Sequence, residues 1–323
     1  MLVEADSGSV LAIPQSGSSN LAPYLQYFGF SQSPFSSLPN KQFFCEHSSA
    51  VEMINTVTFS LCSGESIVKV TGVPGVGKTY LLKQVFSSLG EDYFSIQVMS
   101  PNLTAEIVLK SLVEELGEHY PVDATEAQLL KYVQYLLCEH YSTDNSRIVI
   151  WIDDAQNLSD DALRAIELLS GFETANRSLL QFVLSGSPQL DEKLSTVAMA
   201  SLRDKITFSI SLTGLSLREL TRYIEQRLRM VCEESQEYFS ASALVCLFKK
   251  TQGIPRRINT LSHKALMLAF GKGDIIVKRS HVLKATKEDG LEMTINGWED
   301  VMLILPLLLT VIMLVATVVW HWP

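Results

Sequence analysis

Residues 72–79 read Gly-Val-Pro-Gly-Val-Gly-Lys-Thr. A glycine, four residues, a glycine, a lysine and a hydroxyl residue make the spacing that folds backbone amides around phosphate oxygens. Gly72, Gly75 and Gly77 let the main chain approach an anion closely, while Pro74 and Val76 complete the loop. Lys78 is expected to reach the β- and γ-phosphates of a nucleotide, and Thr79 to hold Mg²⁺. Tyr80 follows and is counted with the binding loop.

Phosphate chemistry also needs a carboxylate on the metal side. Residues 147–154, Arg-Ile-Val-Ile-Trp-Ile-Asp-Asp, run an apolar stretch straight into two acids. Buried parallel strands end this way when their C-terminal edge faces a ligand crevice. Asp153 is placed to order Mg²⁺, and Asp154 stands where a catalytic base or water-orienting acid would sit. The plainer role for Asp154 is a turn or cap ahead of a helix over 160–170. Further on, Gly253-Ile254-Pro255-Arg256 closes one helix and opens the next. Arg256 therefore occupies a first helical turn, where it can meet a γ-phosphate or form a surface ion pair.

These residues need a frame. Apolar, β-branched runs predict strands near 67–70, 94–99, 147–152, 179–185 and 207–210. Helical spacing follows Lys78 and recurs over 104–117, 125–141, 159–170 and 189–203. Alternation of this kind predicts an α/β fold, a parallel sheet flanked by helices on both faces. Past 211 the pattern is helical only. Ser216-Leu217-Arg218-Glu219 is a capping box opening a helix to about Val231, and a second helix covers about 240–250.

The chain has 323 residues with 47% apolar and 19% charged, which excludes a disordered protein and allows two domains. Five separated cysteines without a CxxC pair exclude a disulfide framework and a zinc ribbon, and point to a reducing compartment. The net charge of −9 makes a general nucleic-acid binder a poor fit. Ten Lys/Arg nevertheless gather in 249–287 with one acid, Asp274. This is either a solvated helical face or a surface for phosphate or anionic lipid.

Residues 301–320 carry no charge, with Trp298 before them and Trp320 and Trp322 at their end. About 20 apolar residues span a bilayer as a helix, and interfacial tryptophans belong at its ends. A buried core helix is the alternative. The expected organisation is a flexible leader at 1–22, a nucleotide-binding domain at 23–213, an all-helical lid at 214–290 and one transmembrane helix at 299–321. Lys278, Arg279, Lys284 and Lys287 precede the apolar run and no Lys/Arg follows it. This predicts a single pass of the inner membrane with the bulk of the chain cytoplasmic.

The ordered set of motifs resembles the ExeA/GspA group of AAA+ ATPases, which includes the MshM pilus-biogenesis proteins. The resemblance covers about 24–287. It runs through Tyr24–Phe30, Ser33-Pro34-Phe35, Phe43-Phe44, GVPGVGKT, WIDDAQNL (151–158), LLQFVLSGSPQL (179–190), LRDKI (202–206) and GIPRRIN (253–259). It implies the P-loop AAA+ fold, ATP with Mg²⁺, a homo-oligomeric ring or dimer, and coupling to a secretion system, a pilus or the cell wall. A membrane helix after the ATPase domain also looks like GspA-type and DamX-type architectures. By position, Lys78 and Thr79 fall in Walker A, Asp153 is the Walker-B acid and Arg256 the sensor-2 arginine. Asp154 stands where the family usually has Glu, and Ser187 where it has Gln. Lys205 takes a common arginine position, leaving Arg203 as the finger candidate. Lysine makes no bidentate phosphate contact, so the resemblance implies ATP binding with slow or partner-dependent hydrolysis. A nucleotide-gated scaffold and a DNA-associated ATPase of the TniB kind are the competing functions, DNA being disfavoured by the charge.

Overall fold

The computed structural model describes residues 22–36, 47–99, 104–117, 119, 123–144, 146–173, 178–232 and 236–288. In chain order the elements are α1 (Pro23–Phe28), α2 (Ser48–Cys62), β1 (Ile67–Gly72), α3 (Lys78–Ser88), β2 (Tyr93–Val98), α4 (Ala105–Glu115), α5 (Glu126–Asp144) and β3 (Arg147–Ile152). They continue with α6 (Asp160–Leu169), β4 (Leu180–Gly186), α7 (Gln189–Leu194), α8 (Ala200–Asp204) and β5 (Ile206–Leu212). Four helices follow: α9 (Leu217–Arg229), α10 (Ala241–Thr251), α11 (Pro255–Phe270) and α12 (Arg279–Glu288).

The strands form one parallel sheet in the order β2-β3-β4-β1-β5. Side chains alternate between its faces because the strand period is two. Ile67, Ile148, Ile150, Ile152, Leu180, Phe182 and Leu184 pack with α4 to α8 on one face. Val68, Val70, Val149, Trp151 and Val183 pack with α2 and α3 on the other. Burial on both faces explains why β1, β3 and β4 read as nearly continuous apolar runs. Gln181 is the polar exception in β4. Its Nε2 donates to the carbonyls of Leu61 at 3.1 Å and Glu65 at 2.9 Å, which offsets its burial. Lys69, in the middle of β1, pairs with Asp191 of α7.

Helix starts follow local chemistry. Ser159 Oγ accepts from Ala162 N at 3.1 Å to cap α6, Ser240 caps α10, and Ser216 with Glu219 closes the predicted capping box on α9. The single helix expected over 189–203 is broken. Ser195 and Thr196 hydroxyls donate to the carbonyls of Glu192 at 2.6 Å and Lys193 at 3.0 Å. Thr196 then turns extended, and a 3₁₀ turn at Val197–Met199 leads into α8. Competition by hydroxyls for the last turn's carbonyls is what ends the helix.

A separate apolar cluster joins α9 to α12, and α1 belongs to it. Tyr24, Leu25, Phe28, Phe30 and Phe35 are buried among Leu220, Tyr238, Leu247, Leu261 and Leu266. Tyr238 OH donates to Phe28 O at 3.0 Å, and Arg227 Nη1 to Pro34 O at 2.9 Å. Cys62, Cys138, Cys232 and Cys246 are thiols, not half-cystines. Among the described residues no helix is long and apolar enough to cross a membrane; the expected leader at 1–22, save Ala22, and the apolar run at 301–320 lie outside them.

Candidate nucleotide-binding site

The parallel register brings the C-terminal ends of β1, β4 and β3 to one edge: Thr71 lies opposite Gly186, and Ile152 opposite Leu184. The loop after β1 wraps into the N-terminus of α3. Gly77 caps that helix at φ 114°, a conformation that a side chain would strain. Val76 turns its side chain into the core, so its main chain alone faces the loop's interior. Pro74 is exposed at the loop crest and Tyr80 is half-buried against the α2–α3 face.

Lys78 is buried. Its Nζ donates to Gly72 O at 2.7 Å and Val73 O at 3.4 Å, lying along the loop where phosphate oxygens would be met. Burial lowers its ammonium pKa below the usual lysine value and Arg256 pushes the same way, while Asp153 and Asp154 oppose them. The four charges therefore share one field. Thr79 Oγ1 donates to Asp153 Oδ2 at 2.6 Å, joining the loop to the end of β3. Phe86 of α3 stacks on Trp151 of β3 with ring centroids 5.3 Å apart, which fixes the spacing of the two elements.

A hydroxyl and a carboxylate side by side, with a buried lysine in the adjoining loop, fit Mg²⁺ and a nucleotide's phosphates. Mg²⁺ takes hard oxygen ligands and usually only one or two from protein, the rest coming from phosphate and water. Among the described residues no group of three or more His, Cys, Asp or Glu is placed to hold a metal alone.

Asp154 is not the cap of α6; Ser159 is. It sits instead at φ 50°, ψ 41°, ahead of the 3₁₀ turn Ala155–Asn157, with its carboxylate exposed. Ser187 is buried just past β4, and its amide donates to Gln156 Oε1 at 2.8 Å. The motif spacing gives Gln156 no role; only the fold brings residues 156 and 187 together.

The helical half closes on this edge from above. Arg256 N donates to Gly75 O at 3.2 Å. The turn carrying Arg256 is held by Leu215 N donating to Gly253 O at 2.8 Å, and a Cβ on Gly253 would fall 2.0 Å from Leu215 O. Glycine is therefore required there by close approach as well as by φ 73°. Lys78, Thr79, Asp153, Asp154, Ser187 and Arg256 are thus assembled around one crevice. Arg203 is not part of it. It is exposed at the end of α8, where Nη1 donates to Ser195 O at 3.4 Å. Lys205 is turned inward, its Nζ donating to Glu167 O at 2.7 Å and Ser170 Oγ at 3.3 Å at the C-terminus of α6.

The family description "AAA domain" matches residues 61–194, from the end of α2 to the end of α7. That stretch holds the loop at 72–79, the Asp153 edge of β3 and strands β1 to β4. General secretion pathway protein A of Aeromonas hydrophila is 29% identical over 299 residues, covering 93% of this chain and 54% of that protein. The chain thus spans about half the length of the curated relative it matches, and the resemblance to the ExeA/GspA group extends beyond the AAA domain on both sides. Two solved structures share the fold. Cdc6p from Pyrobaculum aerophilum superposes with a TM-score of 0.59 at 16% identity, over 79% of this chain and 70% of that one. The ORC2 protein of Aeropyrum pernix in its ADP form gives 0.58 at 18%, over 80% and 73%. The parallel sheet, the loop after β1 and the flanking helices form a P-loop fold.

Proposed function

We propose that this chain is a membrane-anchored ATPase that binds Mg-ATP and couples its binding or hydrolysis to assembly of a bacterial envelope machine. The Thr79–Asp153 contact at 2.6 Å, beside the buried Lys78, is the observation that carries the nucleotide half of the reading. In this reading the loop amides and Lys78 bind the phosphates, Thr79 and Asp153 hold the metal, and Arg256 reaches the γ-phosphate from the helical half. Asp154 aims the attacking water and accepts its proton. Thr79 and Asp153 would hold Mg²⁺, which would supply positive charge against that developing on the phosphates. Arg203, exposed on α8, serves as a finger for a neighbouring copy in a ring or dimer; Ser187 sits within the crevice as a secondary contact.

The envelope half rests on the similarity to General secretion pathway protein A and on the uncharged run at 301–320. The proposed division is a nucleotide-binding domain at 23–213, whose first segment at 23–36 packs with the helical cluster, a helical lid at 214–290 and a single inner-membrane span at 299–321, with the ATPase in the cytoplasm. Duplex DNA is not a partner in this reading, in keeping with the net charge of −9.

Nucleotide binding and phosphate release by the purified full chain, beside Lys78→Ala, test the proposal. Loss of binding in the variant with a retained melting temperature is the expected result. Equal nucleotide affinity in parent and variant would remove the P-loop assignment.

A further inference from the structure

We propose that Gln156 is a positioning residue that locks the Asp154 carboxylate to the end of β4. The inference rests on the ATPase reading and adds to it a role for Gln156, which the stretch WIDDAQNL contains without giving it one. Gln156 lies in the 3₁₀ turn Ala155–Asn157, and its amide is used at both ends. Nε2 donates to Asp154 Oδ1 at 3.1 Å, and Oε1 accepts from Ser187 N at 2.8 Å. A primary amide offers a donor and an acceptor on one planar group, so a single orientation satisfies both partners.

Three further features serve this contact. Asp154 holds a left-handed conformation, with its own amide donating to Asp153 Oδ1 at 3.0 Å and its carbonyl accepting from Asn157 N at 2.9 Å. That backbone aims the short aspartate side chain toward the Gln156 amide. At Gly186, just before Ser187, a Cβ would fall 2.9 Å from Gln156 Oε1 and 3.1 Å from Leu190 Cδ2. Glycine leaves the space through which the glutamine reaches the strand end. Asp154 itself is exposed and has one methylene, so without Gln156 its carboxylate is free to rotate toward solvent. A base must be within hydrogen-bond reach of the proton it takes, and loss of that geometry costs rate more than binding. Gln156 thus acts through Asp154 and touches no reacting atom.

Steady-state phosphate release by the full chain is measured for parent, Gln156→Ala, Gln156→Glu and Asp154→Asn, alone and combined. Gln156→Ala is expected to lower kcat about tenfold with KM for ATP within about twofold. In the Asp154→Asn background the same change should add nothing. Gln156→Glu keeps the acceptor for Ser187 but sets a second carboxylate against Asp154, so its turnover relative to the parent should recover as pH falls and the new acid is protonated. Additive losses, or an unchanged kcat in Gln156→Ala, overturn the inference. Amide exchange at Ser187 is followed in parallel. Protection lost in both Gln156→Ala and Asp154→Ala supports the coupling, and protection kept in Asp154→Ala overturns it. A parent that binds ATP without turning it over would end the hydrolysis reading, leaving the exchange result to decide on Gln156.

Discussion

The amide of Arg256 donates to the carbonyl of Gly75 at 3.2 Å, so the helical half rests its α11 directly on the phosphate loop. The contact is tight. A Cβ at Gly75 would lie 2.8 Å from Arg256 Cβ, and Gly75 holds φ 86°. Gly75→Ala is therefore expected to lift α11 off the loop. The backbone strain alone costs about 1–2 kcal/mol, read as a lower melting temperature. Nucleotide affinity should fall with it. Parent-like values of both would show that the loop and α11 are not coupled.

Asp154→Asn should lower turnover while leaving stability near the parent. Asparagine tolerates the left-handed backbone that Asp154 occupies, so the change removes charge without adding strain. Asp154→Glu keeps the carboxylate but puts a longer side chain on that backbone, at a cost of about 1 kcal/mol. Thermal melts and phosphate-release assays together separate charge from conformation. Full turnover by the Asn variant would remove Asp154 from the chemistry.

Glu219 ties the sheet to the helical half. Its carboxylate accepts from Ser216 N at 2.9 Å and Ser216 Oγ at 2.8 Å at the start of α9. It also accepts from Ser48 N at 3.2 Å and Ser48 Oγ at 2.7 Å at the start of α2. The Ser216 amide, followed by the Ser48 and Ser216 hydroxyls, pulls its pKa down to about 2 against the opposing effect of burial. A depressed acid stabilises the fold above its unfolded pKa, and that contribution is lost as pH falls from about 4.5 through about 2. Glu219→Gln should thus be less stable than the parent at neutral pH, with the gap closing across that window. Urea melts against pH measure it. The carboxylate is partly exposed, so the gap should also narrow at high salt. A constant gap from pH 7 to 2 would assign the effect to shape rather than charge.

Removal of residues 298–323 should move the chain from the membrane fraction to the soluble fraction with ATP binding kept. Among the described residues, none placed at the crevice lies beyond Arg256. Persistent sedimentation with membranes would transfer the anchor to the basic helices of 249–287.

Much of the sheet is legible in the residues because β1, β3 and β4 are buried on both faces and so carry unbroken apolar runs. The loop at 72–79 and the Ile152-Asp153 edge are legible because phosphate and metal chemistry dictate residue types at fixed local spacing. What stays hidden is whatever depends on distant partners. The Gln156–Ser187 bond spans 31 residues. Lys205 stands at a finger position by motif, yet its ammonium donates to the Glu167 carbonyl and the Ser170 hydroxyl at the end of α6. Helix α2 escapes the usual start signals because His47 Nδ1, rather than a serine or aspartate, accepts from Ala50 N, at 3.3 Å. The split of 189–203 into two short helices turns on two hydroxyls whose side-chain geometry no periodicity reveals.

The placement of α1 among α9 to α12 bears on how the protein folds. Tyr238 and Phe28 are 210 positions apart, and the whole sheet is synthesised between them. A nascent chain therefore carries Tyr24, Phe28 and Phe30 unburied until α9 to α11 have left the ribosome. Contacts of such separation close late, since loop closure must be met before they contribute. The sheet half should consolidate first, and the aromatic segment should then seal the helical half as the last step of assembly. A fragment begun at Ser48 would keep every phosphate-loop residue and still leave unfilled the places beside Tyr238, Phe239 and His263 where the missing rings pack.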